Sequence, residues 1–300
     1  QAAIRSLKTG RLDCALVGAV DLSGDVRSLL SLASSDGLAA DGIPHPFGGD
    51  SQGVVPSDGA VALVLKREED AQRDGDRIYA VVRGMGSAGG DLAEASIEAA
   101  RRSCRVAGID PETVPFVEGH GGGTPRDDRI EAQALSSVHG SDTLLGCTKG
   151  RVGHTGAAAG LISVLGASLA LYQQVLPAAE RRDVTVPGNG SRDSDGRDQK
   201  AGLVPLADSR PWVCDLEDGP RRAGVLAVSR GGSCSHVVLE ESTAETDAAV
   251  VPTAAVRTAA MREEERTNPL GPLNEGLFVV EGADDEAIVA GLRRLAEFVA

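Results

Sequence analysis

Two histidines stand out by their surroundings. His120 lies in VEGHGGGTPRDDRIEA and His154 in KGRVGHTGAAAG, each after a short apolar run and each followed by glycine-rich sequence that leads into a helical pattern. Lys149 precedes His154 by five positions. Imidazoles so placed can move protons or donate N–H groups to developing charge, and a neighbouring cation favours their neutral form. A histidine taken alone is more often a packing or surface residue than a catalyst. Two in matching contexts, with a lysine close to one, point to a site. GHGGG has neither the Lys-Ser/Thr ending of a phosphate loop nor the spacing of a dinucleotide fingerprint. Its glycines permit close approach of backbone or of a substrate arm.

The elements that must position these residues follow from periodicity. Strands are expected over 114–117 and 144–147, and helices over 127–137 and 155–173. Both histidines then fall where strand ends give way to helix starts, the crevice in which α/β sheets bind ligands. Earlier in the chain a helix closes at Gly10, LDCALVGAV reads as a buried strand, 59–66 and 78–82 as strands, 67–73 as a short polar helix and 93–107 as a helix. Residues 221–241 read as a hairpin with Gly231 and Gly232 at its turn, and 180–220 as a long surface loop. His139, beside Gly140, reads as a polar helix cap, His45 as a loop residue without chemistry, and His236 as a structural residue of the second hairpin strand.

Composition narrows the function classes. The chain has 300 residues, 41% hydrophobic content, 2% aromatics and 38 glycines, which suits a core of Ala, Val and Leu with closely approaching backbones. A net charge of −14 without a basic cluster argues against nucleic acid and against an anionic membrane. No signal peptide is visible and no apolar run reads as membrane-spanning. The five cysteines show no CxxC spacing, so no metal site and no disulfide framework is expected, and a reducing cytoplasm fits. Cys14 reads as a buried strand thiol and Cys147 as a strand residue near Lys149, neither as a nucleophile.

With these residues in place a resemblance becomes specific. GHGGGTPRDDRIEA resembles the AHGTGTxxGDxIEA segment of β-ketoacyl synthases, the condensing enzymes of fatty acid and polyketide assembly, and KGRVGHTGAAAG resembles their KSxIGHxxAAAG segment. PFGGDSQGVVPSDGAVALVLKREEDAQRDGDRIYAVVRG and RRAGVLAVSRGGSCSHVVLEE are similar to two further passages of the family, in the same order. The likeness runs from Gln1 to about Glu241. In the last passage Val228 and Arg230 replace two phenylalanines and Cys234 an asparagine, and the loop after Gly86 is shortened.

The resemblance implies a thiolase-like α/β fold, layered α-β-α-β-α, of which the chain holds the later part. It makes His120, His154 and Lys149 the catalytic residues, with Asp128, Glu131, Thr124, Arg230, Gly231 and Gly232 supporting them or contacting substrate. Arg230 would lend its backbone N–H to an oxyanion hole. The nucleophilic cysteine is expected upstream of Gln1. Residues 1–241 would be the later portion of the synthase domain, 242–274 a linker, and 275–300 the start of a small α/β domain leading to an adjacent acyltransferase. The implied reaction is decarboxylative condensation of malonyl and acyl thioesters carried on the phosphopantetheine arm of an acyl carrier protein, with no cofactor of the domain's own. A homodimer, or pairing with another ketosynthase-like domain, is implied. The altered motifs also resemble polyunsaturated fatty acid synthases and keep a second reading open: a non-catalytic partner of the chain-length-factor type.

Overall fold

The computed structural model describes residues 1–22, 26–35, 37–48, 52–178, 203–206, 208–214, 219–229 and 231–242, with 289, 290 and 293 near the end of the chain. The expected linker 242–274, beyond its first residue, and the strand expected after residue 275 lie outside the described residues. By internal contacts the chain divides into residues Gln1–Thr246 and Asp247–Ala300. Of the second unit the described residues show only helical positions, Val289 exposed among them.

The first unit runs α1 (Ala2–Lys8), β1 (Cys14–Asp21), α2 (Val26–Ser35), β2 (Gly59–Lys66), α3 (Glu68–Asp74), β3 (Val81–Gly89), α4 (Leu92–Ala107), β4 (Phe116–Glu118), α5 (Pro125–His139), β5 (Leu144–Gly146), α6 (Lys149–Val152), α7 (Ala159–Gln173), β6 (Val175–Leu176), β7 (Val204–Pro205), β8 (Arg210–Pro211), β9 (Arg222–Val228) and β10 (Ser233–Glu240). Local chemistry sets several ends. Gly10 takes φ +67° just past α1, Asp91 accepts the Ala93 N–H at the start of α4, and Gly108 closes α4 at φ +68°.

The main sheet has six strands in the order β3-β10-β9-β4-β5-β7. Its β3, β10 and β9 are antiparallel, and β9, β4, β5 and β7 run parallel. Because strand side chains alternate between faces, Val117, Leu226 and Val238 join Ala99, Cys104 and Leu135 of α4 and α5 in one buried cluster. Their neighbours Phe116, Val225 and Leu239 join Ala167, Ala170 and Leu171 of α7 in another. The sheet therefore lies between α4 and α5 on one side and α7 on the other, and the parallel β4 and β5 end at the same edge of it.

Four expectations need correction. LDCALVGAV is not buried: among the described residues β1 pairs with β2 alone, in a two-stranded sheet, so one face stays open and Cys14 is exposed. The strand expected over 78–82 instead runs Val81–Gly89, because glycines that read as a loop let β3 lie against α4 and pass straight to Asp91. The stretch 180–220 is not all surface loop: β7 extends the main sheet, and Leu203, Leu206 and Trp212 are buried. Finally, Gly156–Gln173 is long and apolar enough to cross a membrane by composition alone, yet here its α7 portion packs on the sheet, with Ser163 and Ser168 buried.

Candidate active site

The first histidine is delivered by β4 and held by α5. After Glu118 the chain turns through Gly119–Gly123, with Gly121 at φ +58° and Gly123 at φ +81°, conformations that favour glycine. Space is scarce as well: a Cβ on Gly121 would stand 2.6 Å from Cys147 Sγ, and one on Gly123 2.7 Å from the Gly53 carbonyl oxygen. Thr124 caps α5 by accepting the Asp127 N–H at 3.3 Å. Asp128 and Glu131 are three residues apart, hence on one face of α5, and both reach back to the loop. Glu131 accepts the N–H groups of His120 and Gly121, the latter at 3.0 Å. Asp128 accepts those of Gly123 at 3.1 Å and Phe47 at 2.8 Å. The acidic pair thus anchors main chain rather than facing the imidazoles.

His154 is fixed by a different set of contacts. Its N–H donates to the Val55 carbonyl at 2.7 Å, and its carbonyl accepts the Ser57 N–H at 3.1 Å. Its Nδ1 accepts the Gly156 N–H at 3.0 Å. His120 Nδ1 likewise accepts a main-chain N–H, that of Val228, at 3.3 Å. An imidazole nitrogen that accepts carries no hydrogen, so both rings are neutral tautomers with their hydrogen on Nε2. The ring centroids are 5.8 Å apart at an interplanar angle of 86°.

Lys149 opens α6 and is buried, 5% exposed. Its Nζ lies 2.9 Å from His120 Nδ1 and also donates to the His120 carbonyl. This corrects the expectation from spacing, which placed Lys149 on His154. Five residues separate them in sequence, but the turn of α6 carries the ammonium across to the other imidazole. Burial first, then the Lys149 charge and His154, hold the His120 imidazole well below its usual range. Burial lowers Lys149 too, opposed by Cys147, Glu131, Glu118 and Asp128. Burial pushes Asp128 up to about 6, and burial with Asp128 alongside pushes Glu131 up to about 8.

Several residues were not singled out in the sequence. Glu118, buried at the end of β4, accepts the Thr148 N–H and so joins the two loops; burial raises its carboxyl. The Val228 amide and the Val55–Ser57 segment carry no side-chain signal that a sequence could show. Gly231 and Gly232 lie in the β9–β10 turn, where the Gly232 N–H donates to the Ser229 carbonyl at 3.0 Å. Arg230 lies outside the described residues. Burial and Glu118 raise the Cys147 thiol, which suits an inert residue. His45 is buried against Asp41 at 2.8 Å. His139 does end α5, beside Gly140, but it is buried, its Nδ1 lies against the Pro111 carbonyl, and it stacks on His236 with centroids 5.2 Å apart. Among the described residues no group of three or more His, Cys, Asp and Glu could hold a metal ion.

The comparisons agree with this arrangement of loops and strands. The family description "Beta-ketoacyl synthase, N-terminal domain" matches residues 1–71, and "Beta-ketoacyl synthase, C-terminal domain" matches residues 79–180. The chain belongs to the β-ketoacyl synthase family, and its fold is thiolase-like. It is 36% identical over 262 residues to a mycocerosic acid synthase-like polyketide synthase of Mycolicibacterium smegmatis, covering 83% of this chain and 12% of that protein. Pikromycin polyketide synthase component PikAIII of Streptomyces venezuelae is 35% identical over 264 residues, 83% of this chain and 16% of that protein. The ketosynthase from module 6 of the bacillaene synthase of Bacillus subtilis superposes with a TM-score of 0.72 at 28% identity, covering 99% of this chain and 57% of that one. A structure described as "PfaC Keto synthase-Chain length factor" gives 0.66 at 28% identity, covering 83% and 27%. The chain thus spans only a small part of the curated proteins it matches.

Proposed function

We propose that this chain supplies the decarboxylation site of a ketosynthase domain in a polyketide or polyunsaturated fatty acid synthase. The observation that carries the reading is the paired tautomer: both Nδ1 atoms accept main-chain N–H groups, so both rings hold their hydrogen on Nε2, the form that donates to an oxyanion. A malonyl thioester that loses carbon dioxide leaves its electron pair in an enolate, whose oxygen carries the new charge. Two fixed donors stabilise that oxygen without reorganising, each by roughly 3–4 kcal/mol of barrier. The enolate carbon then attacks an acyl thioester on a cysteine supplied from outside these 300 residues, and the thiolate departs. Lys149 serves by holding His120 neutral, while Asp128, Glu131 and Thr124 hold the loop that carries it.

The same reading takes acyl carrier protein, with its phosphopantetheine-borne acyl and malonyl groups, as the partner. It places the domain in a cytoplasmic homodimer, or paired with another ketosynthase-like domain, with residues 242–274 as a linker and 275–300 opening the passage to an acyltransferase. The test uses the natural full-length protein with His120→Ala and His154→Ala. Carbon dioxide release from malonyl carrier protein should fall by about 10²–10³ in each, while mass spectrometry still detects the acyl-enzyme. A wild-type protein that forms no acyl-enzyme, and whose product formation ignores both substitutions, is instead a chain-length-factor type partner. The PfaC structure, whose description joins keto synthase and chain length factor, keeps that reading in view.

A further inference from the structure

The far end of β1 reaches the second histidine. Asp21, the last residue of that strand, accepts the Ala157 N–H on Oδ2 at 2.7 Å. The neighbouring Gly156 sits at φ +51°, and a Cβ added there would stand 2.2 Å from the same oxygen, so the carboxylate lies directly against its α-carbon. The Gly156 N–H is the group that donates to His154 Nδ1. Two successive main-chain amides are therefore engaged, one by the carboxylate and the other by the imidazole. Behind them Gly59, which pairs with Asp21 in register, leaves room for Thr155: a Cβ on Gly59 would come within 2.6 Å of Thr155 Cβ. The β1–β2 sheet thus ends as a seat for the turn that follows His154.

We infer that Asp21 is a positioning residue for His154, its carboxylate seating the Gly156–Ala157 turn so that the Gly156 N–H meets Nδ1 and Nε2 keeps its hydrogen. The inference rests on the reading of His154 as an N–H donor to the enolate. Without the carboxylate the Ala157 N–H loses its acceptor, and the peptide before it loses the contact that fixes its direction. The ring can then rotate or exchange tautomers, and a donor misplaced by about 1 Å costs up to about 10²-fold in rate. Acyl transfer to the cysteine does not draw on the Nε2–H of His154 in this scheme, so it should survive.

The experiment is a double-mutant cycle in the natural full-length protein, reading carbon dioxide release from malonyl carrier protein beside acyl-enzyme formation. Asp21→Ala should lower release about 10- to 100-fold with acylation retained. Asp21→Asn keeps an acceptor oxygen at the same reach and should recover most of that loss. In a His154→Ala background Asp21→Ala should cost nothing further, because its effect passes through that imidazole. If Asp21→Ala does not yield folded protein, Asp21→Ser, too short to reach the Ala157 N–H, takes its place with the same expectations. Loss of acylation in parallel with release, or a full additional loss on top of His154→Ala, overturns the inference and leaves Asp21 a structural residue. A His154→Ala protein that decarboxylates normally sinks the donor reading itself, whereas an affected His154→Ala beside an unaffected Asp21→Ala sinks the positioning role alone.

Discussion

Lys149 brings the two histidine-bearing loops into one electrostatic unit. It is a buried cation 2.9 Å from His120 Nδ1, with Glu118, Glu131 and Asp128 near enough to oppose the loss of its charge. Removing the ammonium takes away its hydrogen bonds to the His120 ring and carbonyl and leaves that part-buried carbonyl without this donor. Lys149→Met should therefore lower the urea midpoint of unfolding. It should also act on His120: the Lys149 charge lowers that imidazole's affinity for protons, so without it His120 protonates at higher pH. An imidazolium formed at Nδ1 gives up the Val228 contact and the neutral state in which the site is assembled. Burial, the larger cause, still holds His120 below its usual range of about 6.5 in the variant, so decarboxylation by Lys149→Met should fall more steeply than that of the wild type below that range, between about pH 6.5 and pH 5. Parallel pH profiles would show that the lysine acts elsewhere. The sequence carried the three residue types but not their pairing, since a spacing of five along the chain says nothing about which loop a short helix turns toward.

At the scale of elements, close packing of β3 on α4 sets the spacing of one side of the fold. A Cβ on Gly84 would stand 2.2 Å from the Ser103 carbonyl oxygen, and one on Gly86 2.3 Å from that of Ala99, both main-chain atoms that cannot swing aside. Gly86→Ala should thus separate helix from strand and cost about 1–3 kcal/mol, measured as a shift in denaturant midpoint at unchanged m-value. A neutral result would mean that α4 can slide on the sheet. The same glycines explain where sequence reading faltered. Apolar patterning located β2, β4, β5, α4 and α5 to within a few residues: β2 and the two helices alternate more buried and less buried positions, while β4 and β5 read as short continuous apolar runs because both of their faces are covered. In β3 the signal was hidden by RGMGSAGG, whose small residues mark close approach rather than a loop. β7 and β8 are two residues long and carry no period at all. β1 has the composition of a buried strand, but burial depends on what covers it; Leu16 and its cross-strand partner Val64 are 75% and 68% exposed. An open apolar face on a two-stranded sheet favours association. The 300-residue chain on its own should self-associate in sedimentation experiments, and Leu16→Lys combined with Val64→Glu should reduce this. A monomer at all concentrations would contradict it.

Across the whole molecule, resistance to acid should hinge on a second pair of histidines away from the proposed site. His139 at the end of α5 and His236 in β10 stack at 5.2 Å with an interplanar angle of 27°. His139 Nδ1 lies 3.1 Å from the Pro111 carbonyl and must donate to it. Ser103 gives its own hydrogen to the Ala100 carbonyl, so at 2.6 Å it accepts from His236 Nδ1. Both Nε2 atoms are then buried acceptors with no hydrogen-bond partner among the described residues. Burial lowers both imidazoles, and His139 further disfavours a charge on His236. The sign follows directly. Unfolded, each binds a proton near pH 6.5; folded, each resists until lower pH, so the unfolded chain takes up more protons and stability falls as pH drops below about 6.5. His120 contributes in the same direction. Glu131 opposes it, because a carboxyl raised to about 8 in the fold favours the folded state increasingly as pH falls from that value toward its unfolded range. The wild-type curve therefore mixes both, and a difference between variants is the cleaner measure. His139→Phe keeps an aromatic ring on His236 while removing one titrating group and one orphaned acceptor. Between pH 7.5 and pH 5, a range chosen to cross about 6.5, its unfolding free energy should decline less than that of the wild type. Equal declines would mean that the stacked pair does not govern the acid limit.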